Sequence, residues 1–177
     1  LDLYESVISS KSEDLIAKIK PLISEGETVE DFKETLYGGN MRNGINYYYE
    51  SSAGQCVRCH GSRDEPGTVG PILANIGNIF TREQLLEALI EPTKRLSPGY
   101  GSVSLTLKGG QVVSGILLEE DMDELVLRTS AAEPIKIALD RVETRTNLPS
   151  SMPAMGGIMT KREIRDVIEF LANRKTK

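Results

Sequence analysis

The stretch Cys56-Val57-Arg58-Cys59-His60 combines two thiols at i and i+3 with an imidazole at the next position. On one turn of helix the two sulfurs share a face. They can then bond the two vinyl groups along one edge of a haem, while the adjacent imidazole turns toward its iron. A C-x-x-C pair also serves as a redox dithiol, half of a zinc site or a disulfide. A structural zinc site takes four Cys or His ligands, and the whole chain contains two Cys and one His. A thioredoxin-like dithiol follows a strand in an α/β layer, whereas this pair follows a segment patterned as a helix and rich in Tyr, at Tyr47, Tyr48 and Tyr49. Covalent haem attachment is the chemistry this order of residues suits.

Haem iron has a second axial position, and without another His the natural donor is a Met sulfur. Met41, Met122, Met152, Met155 and Met159 compete for it. A Met is ordinarily a flexible filler of the core, which is the expectation for Met41 and Met122. In Pro149-Ser150-Ser151-Met152-Pro153-Ala154-Met155 the prolines stiffen an extended loop able to hold a thioether against the iron. Met152, directly before Pro153, is the expected ligand, with Met155 as the alternative.

The elements that must position these groups follow from periodicity. Leu15, Ile16, Ile19, Leu22 and Ile23, then Val29, Phe32 and Leu36, recur at helical spacing, with Pro21 as an interruption and Thr28 as a cap. A short helix from Met41 to Glu50 leads into the Cys56 motif. Thr81 with Gln84, and Thr160 with Glu163, form capping boxes ahead of apolar helical patterns. From about Tyr100 the period changes to alternation: Val103, Leu105 and Leu107, the turn Lys108-Gly109-Gly110-Gln111, a second strand, then strands at Leu125 to Arg128, Ile135 to Ala138 and Val142 to Thr146. Five short strands at this density suggest a small twisted barrel or a meander.

Composition narrows the partners. The net charge of −5, from 26 acidic and 21 basic side chains, argues against nucleic acid, whose phosphates need a basic face. No apolar run approaches the roughly 20 residues that span a bilayer. The chain opens Leu1-Asp2-Leu3-Tyr4, without an initiating Met or a charged segment before an apolar run, and reads as a mature fragment or excised domain. Aromatics are 5% of the residues and Trp is absent, a lean supply for a core that a large planar cofactor would help fill.

With these motifs in order, the chain resembles the class I c-type cytochromes, and more closely the haem-binding domain at the end of large bacterial dehydrogenases of the sorbosone or sugar dehydrogenase kind. The resemblance covers about residues 38 to 174. It rests on Cys56 to His60, Val69-Gly70-Pro71-Ile72-Leu73, Pro98-Gly99-Tyr100, Ser151-Met152-Pro153 and Glu169-Phe170-Leu171. It implies a mainly α cytochrome c fold, α+β overall because a small Sm-like or SH3-like barrel is inserted. The implied organisation is a helical N-terminal arm (1–37), a first part of the haem core (38–99), the five-stranded insertion (100–146) and a second part of the core (147–177). It further implies one haem c, with Met152 as distal ligand and the Pro71 carbonyl bonded to the His60 imidazole, and a packing of first and last helices through Gly44, Tyr48 and Phe170. A periplasmic or otherwise extracytoplasmic home follows from the resemblance as well, as does a redox protein partner or a fused dehydrogenase domain. The acidic run Glu119, Glu120, Asp121, Asp123 and Glu124 is opposite in sign to an RNA-binding barrel and reads as a solvated turn on a spacer or docking surface.

The expected function is single-electron transfer by a mono-haem protein that is not itself an enzyme. Ile72, Leu73, Ile76 and Ile79 are candidate apolar walls, and Arg95 or Arg63 a candidate partner for a propionate. Two other readings stand beside it. One is a haem sensor or peroxidase-like enzyme with a labile distal ligand, and the other an interaction module with a vestigial attachment motif.

Overall fold

The computed structural model describes residues 1–22, 26–62, 65 and 69–175, with the side chain of Leu22 excepted. Ile23, expected in the first helical pattern, and Arg63, a candidate propionate partner, lie outside the described residues.

Helices form where capping residues and apolar spacing agree. In chain order they are α1 (Asp2–Ser9), α2 (Glu13–Ile19), α3 (Met41–Glu50), α4 (Cys56–His60), α5 (Ile76–Ile79), α6 (Arg82–Ile90) and α7 (Lys161–Ala172), with 3-10 turns at Lys20–Leu22, Val29–Thr35, Leu139–Arg141 and Met155–Gly157. Asn40 caps α3 by accepting from the Asn43 amide. Thr81 with Gln84 and Thr160 with Glu163 close reciprocal capping boxes on α6 and α7, each satisfying two backbone donors that a helix start leaves open. Thr28 makes the same box with Asp31, but the segment it opens is a 3-10 turn rather than an α-helix.

The helical core lies on α7, whose Ile164, Val167, Ile168 and Leu171 are all buried against Leu85, Leu86, Leu89 and Ile90 of α6 and Tyr48 of α3. Phe32, in the turn Val29–Thr35, is buried in the same cluster. Each of these large apolar side chains contributes about 1.5–3 kcal/mol by leaving water. The crossing of α3 and α7 is close because Gly44 faces the α7 backbone. The buried Asp166 carboxylate ties the two elements by accepting from the Asn40 amide at 2.7 Å and from Asn43 Nδ2 at 3.2 Å.

The strands are β1 (Ser102–Leu107), β2 (Val112–Glu120), β3 (Glu124–Arg128), β4 (Ile135–Ala138) and β5 (Val142–Asn147). They form one antiparallel sheet in the order β4-β3-β2-β1-β5. Val103, Leu105, Leu107, Leu117, Leu125, Leu127 and Ile137 make a second, separate core on one face. At the hairpin between β1 and β2, Gly109 and Gly110 adopt φ of 103° and 86°, values that only glycine takes without strain.

Two parts of the expected fold are corrected. The inserted strands make an open sheet instead of a barrel: β4 and β5 stand at its two edges, with the 3-10 turn Leu139–Arg141 between them in sequence. The outer positions of β5, Glu143, Thr144, Arg145 and Thr146, are exposed and polar, which suits an edge strand rather than one paired on both sides. Nor is a mainly α cytochrome c fold observed. Helix, 3-10 turns included, accounts for 42% of the described residues, beside a five-stranded sheet with its own core, so the class is α+β. The helices stay short because Pro21, Pro92 and the Gly38-Gly39 pair interrupt the apolar patterns.

Among the described residues, no helix is long and apolar enough to cross a membrane.

Candidate functional site

The Cys56 turn is entered through a tight bend. Ser51 supplies two acceptors, its side-chain oxygen to the Gly54 amide at 3.0 Å and its carbonyl to the Gln55 amide at 3.1 Å. Gln55 then takes φ 47°, a left-handed conformation uncommon for a side chain other than Gly, Asn or Asp. Its amide side chain accepts from Arg58 Nη1 at 2.8 Å, which helps hold it there. From this bend α4 runs one turn and ends at Gly61, whose φ of 70° reverses the chain directly after His60.

Cys56 and Cys59 are free thiols on this one turn. Cys56 is partly buried against the helical core, and burial pushes its thiol up from the ordinary value. Cys59 is exposed.

His60 Nδ1 lies 2.8 Å from the Pro71 carbonyl oxygen. A carbonyl can only accept, so Nδ1 carries the proton and Nε2 keeps its lone pair. Burial pushes the imidazole below its usual range, partly offset by the Pro71 bond, which favours the neutral ring that a metal requires. The loop that brings Pro71 here is pinned by the Gly70 amide donating to the Cys59 carbonyl at 2.9 Å. Gly70 is needed at this point, since a Cβ would lie 2.7 Å from His60 Cε1 and 2.8 Å from Nδ1.

The remaining candidates fall into separate environments. Of the four apolar wall residues, Ile76 is buried in the helical core and Leu73 packs against it, while Ile72 and Ile79 are 50% and 64% exposed. Met152 is partly buried against the same core as Cys56, Leu73 and Phe80, and lines an open groove of about 580 Å³ with Ile90, Pro92, Lys94 and Pro153. Its loop is anchored to the chain following α6. Ser150 donates its amide to Thr93 Oγ1 at 3.1 Å and accepts from the Met152 amide at 3.1 Å, and Asn147 Nδ2 donates to the Thr93 carbonyl at 3.0 Å. Met155 and Met159 are enclosed in the core, at 3% and 4% exposure. Met41 and Met122, expected as core filler, are instead 45% and 92% exposed. Arg95 pairs with Glu87 at 3.3 Å and lies over the Phe80 ring.

Three features of the site went unread in the sequence: the φ of Gly61, the packing of Gly70 on the imidazole, and a 2.7 Å hydrogen bond from the Tyr48 hydroxyl to the Gly61 carbonyl. Only the first had a local signal, a glycine immediately after the His.

The donor set suits a haem c, with two thiols on one turn, an imidazole whose Nε2 is unprotonated and a thioether outside the closed core. Among the described residues, no group of three or more His, Cys, Asp or Glu is arranged to hold a bare metal ion. Compared with known proteins, the chain matches no family model and no curated protein.

Proposed function

We propose that the chain holds one haem c through Cys56 and Cys59, with His60 and Met152 as its axial ligands, and that it carries single electrons rather than catalysing a reaction. The observation that carries this reading is the Nδ1-to-Pro71 bond on a C-x-x-C-H turn, which fixes the tautomer and points the ring's other nitrogen elsewhere. A bound haem supplies a one-electron iron couple.

The chain's own residues do the rest. Cys56 and Cys59 hold the cofactor covalently. Pro71 and Gly70 set the imidazole plane, one by hydrogen bonding and the other by leaving room for the ring. The exposure of Ile72 and Ile79 supports their role as apolar wall, since apolar surroundings disfavour the extra charge of ferric iron and raise the reduction potential. Met152 is favoured over Met155 as ligand because its side chain lines a groove, whereas the Met155 sulfur is already packed in the core. The electron partner is a separate redox protein or a dehydrogenase domain, and the protein works in the periplasm or another extracytoplasmic space, where thioether attachment to such motifs takes place.

The test is maturation with a competent haem-attachment system, followed by denaturation and acid extraction. Retained haem with a pyridine haemochrome spectrum of thioether type is expected, and its loss in the Cys56→Ser, Cys59→Ser double variant. A colourless wild-type protein refutes the proposal. Ready carbon monoxide binding by the reduced protein would shift the reading to a sensor or peroxidase-like enzyme.

A further inference from the structure

His60 is held at its ring nitrogen by Pro71, but a side chain is only as well placed as its backbone. The residue that follows it, Gly61, is fixed at both of its backbone polar groups, one in the peptide before its α-carbon and one in the peptide after it. Its amide donates to the Val57 carbonyl at 2.8 Å, which closes the turn, and its carbonyl accepts from the Tyr48 hydroxyl at 2.7 Å. The left-handed φ of Gly61 leaves the chain no helical continuation to steady this residue.

Tyr48 is a stiff anchor. It is 1% exposed and sits on α3 where that helix crosses α7. Its ring meets Phe170 edge-on at 5.4 Å, and the Arg174 guanidinium lies 5.4 Å from its centroid and 5.2 Å from that of Phe170. Packing alone would be served as well by a phenylalanine, and a buried hydroxyl costs stability unless it is bonded. The bond it makes reaches 13 residues along the chain, to the carbonyl of the residue next to His60.

We infer that Tyr48 is a positioning residue for His60: by holding the Gly61 carbonyl it ties the haem-attachment turn to the α3–α7 crossing and sets the direction in which Nε2 faces. This rests on the haem reading above. The imidazole is thereby constrained at two points, the ring through Pro71 and the backbone through Tyr48. Removing the hydroxyl leaves the buried Gly61 carbonyl without this donor and lets the turn rotate.

The experiment compares matured wild type with Tyr48→Phe, which keeps the ring, and with Phe170→Leu, which alters the packing but keeps the hydroxyl. Covalent haem per chain is expected to be equal in all three. The paramagnetically shifted haem-methyl signals of the ferric protein report the imidazole plane; they should move or split in Tyr48→Phe and stay in place in Phe170→Leu. Unchanged signals in Tyr48→Phe, or the same change in both variants, would overturn the inference while leaving haem attachment intact. A wild type without haem removes the premise and the inference together. Should Tyr48→Phe fail to fold, the wild type decides: a slowly exchanging Tyr48 hydroxyl proton close to Gly61 is expected, and its absence rejects the proposal.

Discussion

Gly44 of α3 faces the Asp166 carbonyl of α7 so closely that a methyl group at position 44 would collide with that backbone oxygen. The next nearest atoms are also on α7, including Phe170 Cβ at 2.9 Å, so no flexible side chain can yield. Gly44→Ala should therefore cost about 1–3 kcal/mol, or prevent folding, through overpacking at a helix crossing. Gly157, with open space around its Cβ position, serves as the control, and Gly157→Ala should stay within about 0.5 kcal/mol. Denaturant unfolding of both variants decides it.

Burial pushes the Tyr48 phenol up to about 12 from its ordinary 10.0, and the Arg174 guanidinium opposes the rise only in part. The folded state thus binds this proton more tightly than the unfolded chain. The stability this confers is fully present below pH 10 and is lost as pH rises toward 12. The loss attributable to Tyr48 is about 2–3 kcal/mol. Unfolding free energies measured across that interval should fall more steeply for wild type than for Tyr48→Phe, which cannot ionise there.

The two methionines of the Pro149 to Met155 loop separate by environment. Met152→Ala should abolish the red sulfur-to-iron band of the ferric protein while costing little stability, since the side chain is only partly buried. Met155→Ala should keep the band and lose about 2–5 kcal/mol, the usual cost of emptying a core position. The opposite pattern of bands would transfer the ligand to Met155.

Entry to and exit from the sheet are adjacent. Val103 of β1 is paired with Asn147 of β5, and the Leu148 amide donates to the Ser102 carbonyl at 2.9 Å. Because the strands also keep their own core, a variant in which Pro98 is joined to Leu148 by a short flexible linker should still retain covalent haem after extraction. A colourless product would mean that the strands complete the haem site.

Helix α1 has no buried residue and is tied to α7 by ion pairs, Asp2 with Arg165 at 3.1 Å and Glu5 with Arg162. Arg165 is also what holds the Asp2 carboxyl below the usual carboxylate range. Arg165 is buried, but Asp2 and Arg162 leave these pairs open to water on one side, and such pairs weaken as salt shortens the screening length, to about 3 Å at 1 M. Amide exchange over residues 2–9 should accelerate in high salt, and Asp2→Asn should reproduce this at low salt, with exchange in α7 unaltered.

Much of the local structure was legible from the chain. The capping boxes at Thr81 and Thr160, the Gly109-Gly110 turn and the alternation of Val103, Leu105 and Leu107 each depend on residues a few positions apart, and each formed where expected. Helix α1 was not foreseen, because what holds it is Arg162 and Arg165, more than 150 positions away. The strand pattern left a barrel and a meander both open for a similar reason, and the expected barrel is the one that did not form. Strand patterns specify which side chains face inward, but closure depends on whether two edge backbones meet, and β4 and β5 do not pair.

By itself the sequence determined which atoms are available for chemistry: two thiols and an imidazole in one turn, and a thioether beside a proline, since covalent order along a helix sets their spacing. Tertiary structure decided between Met152 and Met155, only the second being closed in the core, brought the expected Pro71 carbonyl onto Nδ1 of His60, and alone decided that a phenol on α3 reaches the Gly61 carbonyl. Those outcomes depend on surfaces brought together by burying apolar area over long stretches of chain, and a short-range pattern carries no record of them.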